Sequence, residues 1–129
     1  MIATGQELTE LDLGGLNLSG VNLSGRRLAG SDLSRARMMG SVMKRTDLSD
    51  TILDFADLSR CDLRGADMTG ASLLETSFWD ADLSGADLRG SRNIVMANLK
   101  RARYSPQTRW PGGLDPRSLG AQPVEPPRR

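Results

Sequence analysis

One thiol, a regular series of carboxylates and no imidazole define the reactive chemistry open to this chain. There is no histidine, so the commonest general base and the commonest metal ligand are both missing. Cys61 is the only cysteine, which excludes an internal disulfide and a cysteine-cluster zinc site. As a nucleophile it would need a base beside it, and none is in view. A small buried core residue is the simpler expectation. Eight aspartates, Asp12, Asp32, Asp47, Asp57, Asp62, Asp67, Asp82 and Asp87, recur at one position of a repeating unit. Stacked carboxylates can bind a cation. No EF-hand loop and no glycine–aspartate calcium repeat accompanies them, so solvated turn residues with local hydrogen bonds are expected instead. The bases Lys44, Arg45, Arg60 and Arg64, then Lys100, Arg101 and Arg103, interleave with acids and read as a mixed solvated surface. No catalytic constellation forms: we expect no enzyme, no cofactor and no metal.

The unit that positions these groups has a period of five. Every fifth residue from Leu8 to Leu88 is Leu, Met or Phe, at 17 consecutive positions. Chance alone gives this about once in 10⁷. With that central residue called i, position i−2 is small in twelve of the sixteen units from Leu13 on, i−1 is Asp or Asn in ten, and i+2 is Gly in nine. A period of five smears around an α-helix and alternates faces on a strand. Only a chain that turns once per unit can point every i inward. Four turns of about 90° close a square coil of 20 residues, and coils stack at about 4.8 Å. The i side chain fills the square and i−2 points into a corner, so it must be small. Asp or Asn before the bend and Gly after it suit tight turns.

Composition agrees with such a fold. Leu, Ile, Val and Phe make 28 of 129 residues, near the limit for folding, but the net charge is only +1. One large apolar residue in five suffices to fill a square coil. Aromatic residues, at 4%, are too few for stacking along a nucleic-acid strand. No apolar run is long enough to span a membrane, and the first residues lack a basic, then apolar, leader pattern. A cytoplasmic protein is the expectation.

Units such as Ala56-Asp57-Leu58-Ser59-Arg60, Ala66-Asp67-Met68-Thr69-Gly70 and Ala81-Asp82-Leu83-Ser84-Gly85 resemble the pentapeptide-repeat family, whose consensus is A(D/N)LXX. The resemblance implies an all-β right-handed quadrilateral β-helix, here of about five coils. Leu11, Leu16, Val21 and Arg26 depart from the small-residue rule, so the first coil is expected to be distorted or to act as a cap. Leu88 to Ile94 is six residues, which places an insertion and a bulge near Ser91. After Tyr104 the repeat stops. The stretch from Tyr104 through Thr108, Trp110, Pro111 and Leu114 to Pro116 resembles the family's terminal segment, with Leu114 in place of Phe. Tyr104, Trp110 and Leu114 are therefore expected to cap the last coil. The expected organisation is a lead-in over 1–10, the β-helix over 11–104, a capping segment over 105–120 and a disordered Pro-rich tail over 121–129.

The 20-residue coil assigns each unit to a side. Side A carries Leu13, Leu33, Leu53 and Leu73; B carries Leu18, Met38, Leu58 and Phe78; C carries Leu23, Met43, Leu63 and Leu83; D carries Leu28, Leu48, Met68 and Leu88. Outward positions are i−1, i+1 and i+2. Large apolar residues fall there at Ile52, Phe55, Leu74, Val95 and Met96 on A, at Met39 and Trp79 on B, and at Val42 on C. A clustered apolar strip marks an interface. The expected function is a non-catalytic scaffold or protein-binding module that engages a protein partner, or a second copy of itself, through Met39, Ile52, Phe55, Leu74, Trp79, Val95 and Met96. No direct contact with nucleic acid and no membrane span are expected. The alternative comes from the resemblance: family members linked to quinolone resistance mimic duplex DNA and bind gyrase. That role wants a long acidic rod, whereas this chain has 17 bases against 16 acids.

Overall fold

The computed structural model describes residues 9–124. The lead-in up to Glu7, Leu8 of the central column and the tail from 125 on lie outside the described residues. Parallel bridges join each i−1 residue to the one 20 positions later: Asp12 to Asp32, Asn17 to Arg37, Asn22 to Val42, Arg27 to Asp47, and so on up the stack. The chain is a right-handed quadrilateral β-helix.

Each backbone N–H of the unit has a destination, and this accounting explains the residue types. The N–H of i donates to the next coil, as Leu33 does to Ile52 at 2.7 Å. The N–H of i−1 donates to the previous coil, as Asp32 does to Leu11 at 2.8 Å. The N–H of i+2 again reaches the next coil, and that of the following residue closes the turn onto the carbonyl of i, as in Ala36 to Leu33 at 3.0 Å. Only the N–H of i+1 is left over. The Asp or Asn side chain takes it: Ser34 N–H donates to Asp32 Oδ1 at 2.9 Å and Thr69 N–H to Asp67 Oδ1 at 2.9 Å. All eight repeat aspartates make this bond. The turn demands a left-handed residue at i+2, which is why glycine is frequent there.

The core is the i column, fully buried from Leu23 to Leu88, with the small i−2 residues in the corners. Buried hydroxyls in that second column donate to backbone carbonyls: Thr46 to Leu23 O, Thr76 to Leu53 O and Thr108 to Leu83 O, all at 2.7 to 2.8 Å. The first coil is regular rather than distorted. Its large i−2 residues Leu11 and Leu16 are accommodated by lying exposed at the end of the stack.

Two differences from the sequence expectation concern the C-terminal end. The inserted residue falls at Asn93, not Ser91: Arg92 still pairs with Ser72 in register, and Asn98 pairs with Ser77 one residue late. Asn93 turns left-handed and a 3-10 turn, Ile94–Met96, absorbs the extra residue at a corner, so no strand is bulged. The segment from 121 is not wholly a disordered tail. A 3-10 turn over Pro116–Leu119, capped by Asp115, leads into strand β2 (Gln122–Pro123), which pairs in parallel with β1 (Arg103–Tyr104). Ala121 is buried in the small-residue column above Ala102. The physical reason is that Ala121-Gln122-Pro123 supplies the small, polar, central order of a repeat, with proline in the central place. That position's N–H would point away from the stack, so a residue without one loses nothing there.

Candidate interaction surface

Cys61 is a core residue. Its Sγ donates to Met38 O at 2.8 Å and lies 3.1 Å from Ser41 Oγ. Burial pushes its pKa up to about 11, so the thiolate needed for nucleophilic or redox chemistry is suppressed. The aspartates are committed to backbone N–H groups, and among the described residues no group of three or more ligating side chains could hold a metal ion. Asp62 and Asp87 are held below the usual carboxylate range, first by hydrogen bonds from Arg64 and Arg89.

What remains is the outer surface. Met39, Ile52, Phe55, Val95 and Met96 are exposed, by 46, 39, 46, 65 and 56%. All lie on sides A and B. Ile52 and Phe55 flank the same central residue, and Val95 and Met96 ride on the inserted 3-10 turn at the far end of side A. Leu74 and Trp79 are only half-exposed. Trp79 does not present a bare apolar face: the Arg60 guanidinium lies 5.1 Å from its ring centroid and that of Arg101 5.2 Å. Phe55 carries one such cover, Arg35 at 5.3 Å. Of the expected capping residues, Tyr104 and Trp110 meet edge to face at 5.6 Å, and these two and Leu114 pack half-buried against the core. The C-terminal segment stacks beyond β1 and leaves Phe55, Val95 and Met96 uncovered.

Sequence reasoning treated the bases as scattered, and the coil sorts them. Arg37, Arg60, Lys100 and Arg101 project from side B, and Lys44, Arg45, Arg64 and Arg103 from side C. Among the described residues, Asp57, Asp80, Asp62 and Asp82 oppose them. Sides D and A reverse the balance: Asp47, Asp50, Asp67 and Asp87 project from D, and Asp12, Asp32, Asp54 and Glu75 from A. Glu10 adds to D, and Arg26, Arg27, Arg89 and Arg109 on D and Arg35 and Arg92 on A offset the acids, nearly completely on D and by half on A. A net charge of +1 thus conceals, among the described residues, basic sides B and C, an acidic side A and a nearly balanced side D. The centre of the basic half is Asp80, reached by Arg103 at 2.9 Å, Arg60 at 3.7 Å and Arg101 at 3.9 Å. The signal was in the sequence: counting 20 residues on from Arg60, and 21 across the insertion, puts Arg60, Asp80 and Arg101 in one column.

Comparison with known proteins follows the same line. The family model described as pentapeptide repeats matches residues 17–54 and 51–90, with 8 copies. A pentapeptide repeat protein from the Arabidopsis thaliana thylakoid lumen is similar at 30% identity and a TM-score of 0.70, over 74% of this chain and 66% of that one. Rfr23, from the cyanobacterium Cyanothece 51142, is similar at 23% identity and a TM-score of 0.55, over 77% of this chain and 90% of that one. QnrB1, a plasmid-mediated fluoroquinolone resistance protein, matches at 22% identity and a TM-score of 0.43, over 90% of this chain and 66% of that one. A comparison with curated proteins found no match.

Proposed function

This chain belongs to the pentapeptide-repeat family, and from that premise we propose that it is a non-catalytic binding module that engages another protein through the exposed strip on sides A and B. The observation that carries the reading is the placement of apolar side chains. Met39, Ile52, Phe55, Val95 and Met96 are large, exposed and gathered on two adjoining sides, while outward positions of side D are polar or small. Outward positions of a solenoid are free of core demands, so polar residues cost nothing there. A clustered exception is the signature of an interface, and aromatic residues and methionine are the types enriched in one. The filled core supports the same reading, because among the described residues the interior of the square stack is packed with Leu, Met and Phe.

The test is association. Replacing Phe55, Val95 and Met96 with Ser should leave the melting temperature within a few degrees, because none of the three is buried. The same variant should lose either the self-association seen by light scattering or the partner recovered by affinity capture. A wild-type chain that is monomeric at high concentration and captures nothing removes the support for this reading.

A further inference from the structure

We infer that the corner between sides B and C is a docking site for an acidic protein segment, with Arg60, Arg101 and Arg103 as its anchors. The inference rests on the binding-module reading above and names the partner's chemistry. Two observations carry it.

The first is charge. Three guanidinium groups converge on the single carboxylate of Asp80, with the Lys100 ammonium on the same coil side, so the cluster carries more positive charge than Asp80 neutralises. The second is preorganisation. Arg60 and Arg101 lie over the Trp79 ring, 5.1 and 5.2 Å from its centroid, which restrains two long side chains. A stacked guanidinium still has its edge N–H groups, the fork that takes a carboxylate in two parallel bonds. Arg103 already gives one such N–H to Asp80 Oδ1 at 2.9 Å.

A polypeptide fits this corner better than a nucleic acid. Two guanidinium groups already lie over the Trp79 ring and compete with a base for it. Asp57, Asp62 and Asp82 are spaced among the bases and would repel a continuous phosphate backbone, whereas separate carboxylates can be placed between them.

The experiment titrates the intact chain with fluorescein-labelled poly-L-glutamate of about twenty residues at low ionic strength, read by anisotropy. Saturable binding in the micromolar range is expected. Arg60→Glu/Arg101→Glu should weaken it at least about tenfold, and Arg89→Glu/Arg92→Glu on sides D and A by less than about twofold. If the first variant does not fold, Arg60→Gln/Arg101→Gln takes its place, with about fivefold weakening expected. Absence of binding, equal loss in both variants, or tighter binding of a 20-base-pair DNA duplex than of the peptide overturns the proposal. The assay needs no captured partner, so its failure is distinct from failure of the apolar-strip test.

Discussion

Leu63→Ala is the sharpest test of how this stack is held. Leu63 is fully buried at the middle of side C, with Met43 one coil before it and Leu83 one coil after. Losing three carbon atoms forfeits about 2.4 kcal/mol of transfer free energy, at about 0.8 kcal/mol for each. A cavity contribution adds to this when the surroundings cannot collapse. Here they cannot, because Leu63 N–H bonds to Asp82 O and Asp62 N–H to Ser41 O, which fixes the coil spacing on both sides of the vacancy. The expected loss is therefore in the upper part of the range for such substitutions, about 3–5 kcal/mol. The contrast is Leu18→Ala in the first coil, where the side chain is half-buried and about 1 kcal/mol is expected. Urea unfolding followed by far-UV circular dichroism measures both. A Leu63→Ala loss below about 1.5 kcal/mol, or equal losses at the two sites, would refute a core built from one central residue per turn.

Three further outcomes are expected. A chain ending at Leu119 loses the bonds that Gly120 O, Gln122 N–H and Val124 N–H make to Arg101, Ala102 and Tyr104, so its melting temperature should fall by several degrees and its aggregation rise. An unchanged melting curve would show that β2 adds nothing. Cys61 should be unreactive toward a disulfide reagent at pH 8 and react fully only after denaturation, because burial suppresses its thiolate. Hydrogen bonds from Ser34, Arg64 and Arg89 hold the carboxyls of Asp32, Asp62 and Asp87 below the ordinary carboxylate range, so their contribution is present above the unfolded value and is lost as pH falls through the folded values. Acid titration of stability should show loss beginning below pH 4, and Arg64→Ala/Arg89→Ala should reduce its amplitude. A variant curve parallel to the wild-type curve would count against those pairs.

The coil was legible because one residue in five has no choice. Leu58 or Met68 must be inside, and only a turn per unit puts every such residue inside. The destination of the Asp side chains was legible in kind, as turn chemistry, but not the reason for it, which is the single N–H that stacking leaves over. Ala121-Gln122-Pro123 was hidden because proline and its neighbours resemble a linker in composition, whereas their order is that of a repeat unit. Trp79 was visible as an exposed aromatic. Its arginine covers were not, because they come from the coils before and after, and the insertion at Asn93 shifts the second by one residue.

Pro123 has a consequence for growth. Stacked strands are templates: the donor that Tyr104 directs onward is what a further layer would grasp, and at β2 that place is held by a residue with no donor. A second molecule arriving end-on at this strand meets a broken ladder. Extension along the axis is discouraged at that strand, which leaves the lateral strip on sides A and B as the place where a partner adds.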